Sequence, residues 1–167
     1  MNDTVISAKN LSLTFETNDG PVHALKDINL DINKGDFVSF IGPSGCGKTT
    51  FLRCMADLEQ PTAGEITVNG VSPTEARKSR AYGYVFQHAG LYPWRTIGGN
   101  IRLPLEIMGI SKAEQDKSVQ EVLELVHLEG FGNKFPWQLS GGMQQRASIA
   151  RALAFQADIL LMDEPFG

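Results

Sequence analysis

Apolar and polar residues alternate loosely from residue 4 to 15, with Val5, Ser7, Lys9, Leu11, Leu13 and Phe15 on one row. A period of two predicts a strand with one face turned to a core. Asn18-Asp19-Gly20-Pro21 reads as a turn and Ala24 to Ile32 as the returning strand, which together make an antiparallel β layer. Phe37-Val38-Ser39-Phe40-Ile41 predicts a short buried strand, and Thr49 to Met55 a helix. Beyond the break at Pro61-Thr62-Ala63-Gly64, Glu65-Ile66-Thr67-Val68 runs into Asn69-Gly70. That pattern is a strand closed by a tight turn, joining the same layer. Arg77 to Arg80 reads as a solvated basic surface, and Ala81 to Phe86 as another apolar strand, ended by Gln87-His88.

From residue 88 to 155 the period lengthens to that of helices. Thr96 to Met108 predicts a helix interrupted by Pro104, and Ser111-Lys112-Ala113-Glu114 a capping box opening the next. In that second helix Val119, Val122, Leu123 and Val126 recur at i, i+3, i+4 and i+7, so one face is buried. A loop with Gly130, Gly132 and Pro136 leads to Ser140, which can cap a helix running to about Phe155. The last strand, Ile159 to Met162, ends in Asp163-Glu164 and suits a buried parallel strand. The pattern divides into residues 1–87 (β layer and core), 88–155 (a helical lobe) and 156–167 (the acidic strand and the loop after it).

Composition fits a folded chain, with 42% hydrophobic and 20% charged residues. Fifteen Lys and Arg against nineteen Asp and Glu leave a net charge of −4, so no basic field points to nucleic acid. Cys46 and Cys54 form no metal pattern and read as reduced thiols. The first residues lack a basic start and an apolar core, and no run approaches the roughly 18 apolar residues that span a bilayer.

The chemistry concentrates at Gly42-Pro43-Ser44-Gly45-Cys46-Gly47-Lys48-Thr49-Thr50, which fits G-x-x-x-x-G-K-[ST] between a predicted strand and helix. Glycines at 42, 45 and 47 free the backbone to turn its N–H groups inward around an anion. The following helix aims its positive end at the same point. Lys48 reaches the β- and γ-phosphates, the Thr49 hydroxyl can ligate Mg²⁺, and Thr50 donates to the α-phosphate. The loop alone does not separate a kinase from a GTPase, a motor or a transporter. Gln87 and the Asp163-Glu164 pair sit at strand ends, where an α/β sheet binds ligands. One carboxylate can stay ionised near Mg²⁺ while the next polarises a water in line with the γ-phosphate. The capped glycines after Ser140 offer a second set of N–H groups to an anion. Phe15 reads more simply as core packing than as a platform for a purine.

Taken together, Gly42 to Thr49, Gln87, Leu139-Ser140-Gly141-Gly142-Met143-Gln144-Gln145-Arg146 and Ile159 to Glu164 resemble the ATP-binding subunit of an ABC transporter. Met143 stands where Gln is most frequent, a substitution similar to that of nitrate, sulfonate and taurine importers. The resemblance implies an α/β fold: a P-loop NTPase core with an antiparallel β layer and an inserted helical signature lobe. It places Phe15 against adenine, reversing the simpler reading, and Lys48 on the β- and γ-phosphates. Thr49, Gln87 and Asp163 are implied around Mg²⁺, with Glu164 as base or water-orienting residue. Ser140, Gly141, Gly142, Met143 and Gln144 are implied to close over the ATP of a second subunit, packed head to tail. Residues 88–110, with Gly90-Leu91-Tyr92-Pro93-Trp94, resemble the segment that receives the membrane permease subunit.

The resemblance thus implies an ATP-hydrolysing import subunit peripheral to the cytoplasmic face of the membrane, working with a permease and a substrate-binding protein. Its alternatives are an ATP-binding fragment without hydrolysis and a soluble ABC-type ATPase acting on DNA or ribosomes. The last residues, Pro165-Phe166-Gly167, fall where the family continues into its D-loop and a later switch histidine. The expectation from this is a fold incomplete at its C-terminus, with strands left unpaired and the isolated chain poorly stable.

Overall fold

The computed structural model describes residues 3–166. The readings that touch Met1, Asn2 and Gly167 therefore lie outside the described residues. The chain divides into two compact units at Tyr82/Gly83.

The first unit is built on the hairpin of β1 (Thr4–Thr17) and β2 (Gly20–Asn33), with β3 (Ala63–Val68) on the other side of β1, so the sheet runs β2-β1-β3. Both pairings are antiparallel, as the alternation predicts. The inward row differs from the predicted one. Ile6 and Ala8 are buried in the first half of β1 and Leu11 and Leu13 in the second, so Val5, Ser7 and Lys9 lie on the other face. Asn10 has φ 49°, and the register shifts between Ala8 and Leu11. This bulge inserts a residue and exchanges the faces, which strict alternation cannot foresee.

Two helices complete this unit. Helix α1 (Lys48–Met55) buries Phe51, Leu52, Cys54 and Met55. Helix α2 (Pro73–Lys78), which the sequence pattern misses, opens on a capping box: Ser72 Oγ accepts from Glu75 N, and the Glu75 carboxylate accepts from Ser72 N. Arg77 is not a free surface cation, because its Nε donates to Asp57 Oδ2 at 2.9 Å. Asp57 also accepts from Gln60 and Thr74, which ties the turn after α1 to α2.

The segment Phe37–Ile41 forms no strand: Phe37 is 98% exposed and Ile41 93%. A buried strand needs neighbours for its N–H and C=O groups. Among the described residues the sheets are β2-β1-β3 and β4-β5, and neither takes this segment in. Phe40 packs edge-on to Phe51 with ring centroids 5.4 Å apart.

In the second unit β4 (Tyr82–Val85) pairs with β5 (Ile159–Met162), beside helices α3 (Ile97–Ile107), α4 (Lys112–Leu125) and α5 (Gly141–Leu153). Ile97, Ile101, Leu105, Val119, Val122, Leu123, Leu128, Leu139, Ala147 and Ala150 form its core. Helix α3 runs through Pro104 without interruption. Pro104 forfeits one helical hydrogen bond, but Ile101 before it and Leu105 after it are both buried and hold the helix on course. At α4, Ser111 Oγ accepts from Glu114 N, while the Glu114 carboxylate accepts the Ser111 hydroxyl. Of the four residues of β5 only Leu161 is buried. Among the described residues no helix is long and apolar enough to cross a membrane.

Candidate functional site

The predicted site residues fall in both units, and each half is described by itself. In the first unit the loop from Gly42 to Gly47 runs directly into α1. Gly45 has φ +79° and Gly47 +101°, conformations that residues with a Cβ resist. Gly42 is a glycine for another reason: its φ is ordinary, and a Cβ there would fall 2.6 Å from Cys46 Sγ. Lys48 curls back over the loop, its Nζ donating to the carbonyls of Gly42 at 2.8 Å and Pro43 at 3.0 Å. Cys46 Sγ lies 3.7 Å from the same ammonium. The loop thus already surrounds a cation, and its carbonyls fix where that cation stands.

The N-terminus of α1 stands apart from those of α2 to α5. Ser72, Thr96, Ser111 and Ser140 each cap their helix with a side-chain oxygen, whereas Gly47 provides no side-chain cap and the first turn of α1 holds no acid. The first turn of a helix leaves N–H groups without intrahelical partners and carries the positive end of the macrodipole. Here Thr49 and Thr50 bring only hydroxyls to that turn. The arrangement suits an external anion.

Phe15 lies near the turn that joins β1 to β2, 37% exposed, and pairs across the hairpin with the exposed Val22. It is therefore not part of the core. Cys54 is buried on α1, and burial, reinforced by Glu59, pushes its thiol up to about 11. Cys46 is exposed.

In the second unit Gln87, just after β4, donates through Nε2 to Glu164 Oε2 at 2.8 Å. Asp163, at the end of β5, is buried, and its N–H donates to the Val85 carbonyl at 2.9 Å. Glu164 takes φ 46°, a left-handed conformation uncommon for a residue with a Cβ, which turns the chain sharply at the carboxylate pair. Gln87 donates through its amide nitrogen, and its amide oxygen and the carboxylates of Asp163 and Glu164 are oxygen donors at the ends of β4 and β5. Such hard oxygen donors fit Mg²⁺, which takes one or two carboxylates and completes its shell with phosphates and water.

Ser140 caps α5 as predicted, its Oγ accepting from Met143 N at 3.3 Å. Gly141 and Gly142 are exposed with no atom near their missing Cβ positions. Met143 packs against the core of this unit. Gln144 points inward, donating to the carbonyls of Pro136 at 2.9 Å and Leu139 at 3.2 Å. It braces the turn that delivers Ser140.

The whole chain compares closely with known proteins. The family model for "ABC transporter" matches residues 25–167. The chain belongs to the ABC transporter family. The sulfate/thiosulfate import ATP-binding protein of Synechocystis sp. is 49% identical over 89% of this chain and 42% of that protein. The taurine import ATP-binding protein of Roseobacter denitrificans is 43% identical over 98% of this chain and 61% of that protein. The chain thus spans about half the length of these relatives. A solved ATP-binding cassette, described as dimeric in a post-hydrolysis state with ADP and Pi, superposes with TM-score 0.86 at 40% identity, over 96% of this chain and 74% of that one. The fold is therefore that of the ABC ATPase cassettes, and this family member shares it over nearly its full length.

Two features of this ABC family member carry no role in the sequence reading, although Gln145 lies inside the quoted signature stretch. Gln145 and Arg151 on α5 donate to backbone carbonyls on either side of Gln87, and Asn100 organises the loop that follows. No periodicity marks them. The one available signal is a lone Arg151 in the otherwise uncharged run Ala147-Ser148-Ile149-Ala150-Arg151-Ala152.

Proposed function

We propose that the chain supplies ATP binding and hydrolysis to an importer, closing head to tail on a second copy when ATP is bound. The observation that carries this is the uncapped start of α1 behind a loop that already holds the Lys48 ammonium. Phosphate oxygens at that point receive the helix end and the ammonium together.

In this reading Gly42 to Thr50 grip the phosphates and exposed Phe15 offers its ring to adenine. Thr49, Gln87 and Asp163 are the residues that would hold Mg²⁺, which would supply neutralising charge to the phosphates. Glu164 orients or deprotonates the attacking water, and its bond from Gln87 fixes where the carboxylate points. Ser140, Gly141 and Gly142 serve the nucleotide of the second copy. Exposed Tyr92 and Trp94, with ring centroids 5.0 Å apart, support residues 88–110 as the surface for a membrane permease. Relatives that import sulfate, thiosulfate and taurine support an importer on the cytoplasmic membrane face. Its substrate is selected by the membrane and binding subunits.

The test separates binding from turnover. Glu164→Gln should keep ATP affinity within about twofold, slow hydrolysis by roughly 100-fold or more and accumulate an ATP-dependent dimer in gel filtration. Turnover at the wild-type rate in that variant would sink the assignment.

A further inference from the structure

The residues around Gln87 are fastened to α5 at two points. Gln145 Nε2 donates to the Phe86 carbonyl at 3.0 Å, immediately before Gln87. Arg151 forks across the turn after it, Nη1 to the Gly90 carbonyl and Nη2 to the Ala89 carbonyl, both at 2.9 Å. Gln87 then reaches Glu164. A continuous set of hydrogen bonds therefore runs from the helix that Ser140 caps to the carboxylate of Glu164.

The chemistry of Arg151 shows how much this loop matters to it. Among the described residues its guanidinium joins no ion pair, and burial lowers its pKa from the ordinary value, opposed by Tyr92. A half-buried cation without a carboxylate depends on its hydrogen bonds. The planar fork matches two adjacent carbonyls in a way a lysine cannot.

We propose that Arg151 and Gln145 are positioning residues that lock the Gln87 loop to α5, so that the placement of Gln87 against Glu164 follows the helix bearing the signature motif. The inference rests on the reading of Gln87 as a Mg²⁺ ligand.

Two readouts test it. Amide hydrogen exchange of the protein without nucleotide should rise about tenfold over residues 87–92 in Arg151→Met and Gln145→Leu, and stay unchanged in α4. ATP affinity measured with and without Mg²⁺ gives the second. Arg151→Met should reduce the Mg²⁺-dependent gain by about tenfold and leave the Mg²⁺-free affinity alone, with partial recovery in Arg151→Lys. Gln87→Ala should lose the gain outright, and adding Arg151→Met to it should change nothing further. An equal fall in Mg²⁺-free affinity, or exchange rising evenly through the unit, would show a general structural role and overturn the inference. Loss of the gain in Gln87→Ala with full gain in Arg151→Met overturns the inference alone. Full gain in Gln87→Ala overturns the ligand assignment on which it stands.

Discussion

Gly47 lies so close to Ala24 that a Cβ built on it would fall 2.5 Å from the Ala24 carbonyl oxygen. The phosphate loop is thus pressed backbone to backbone against β2, and its last glycine has no room as well as a left-handed φ. Gly45, also left-handed, has no atom within 4 Å of its missing Cβ.

The two glycines should therefore respond differently. Gly45→Ala meets only the conformational cost of about 1–3 kcal/mol, whereas Gly47→Ala adds a clash that backbone must relieve. Denaturant midpoints and nucleotide titrations on both variants should rank Gly47→Ala as clearly the more damaging. Equal damage would mean that the approach to Ala24 is not what requires the glycine.

Asn100 is fully buried, accepting from Tyr92 N at 2.7 Å and donating to the carbonyls of Tyr92, Arg95 and Thr96. Asn100→Leu leaves these groups unpaired next to the core and should destabilise the protein by about 1–3 kcal/mol. Limited proteolysis should then cut within residues 91–96. An unchanged unfolding midpoint would refute this role.

Asp57 is held by Arg77, Thr74 and Gln60, its side chain 6% exposed. Burial opposes its ionisation, but the hydrogen bonds from Arg77, Thr74 and Gln60, with the charge of Arg77, outweigh burial and keep the carboxyl below its ordinary range. The stabilisation is fully present above the unfolded value of about 3.9 and is lost as pH falls through the folded value. Urea midpoints should thus fall more steeply below about pH 4 for the wild type than for Asp57→Asn. Parallel pH profiles would contradict this.

Several of these relationships were readable in the sequence and others were not, for physical reasons. The glycine turn running into α1, the Ser140 cap and the buried face of α4 depend on contacts a few residues apart, so spacing carries them. The inward row of β1 departs from strict alternation because the register shifts between Ala8 and Leu11, where Asn10 takes a left-handed φ and the faces of the strand exchange. The Phe37–Ile41 run has the composition of a buried strand but lies exposed, since burial is conferred by neighbours and not by the segment itself. Gln87 and Glu164 are 77 positions apart and meet through a single bond; only the family resemblance linked them. Helix α2 is six residues long, too short for periodicity to stand out.

The most direct test of the central claim is the affinity of the protein for ATP and for AMP, each measured in the wild type and in Lys48→Ala. If Lys48 waits in the loop for the β- and γ-phosphates, the variant loses ATP affinity by at least about tenfold, or ~1.4 kcal/mol, and AMP affinity stays as it was. An ATP affinity unchanged by the substitution would contradict the account.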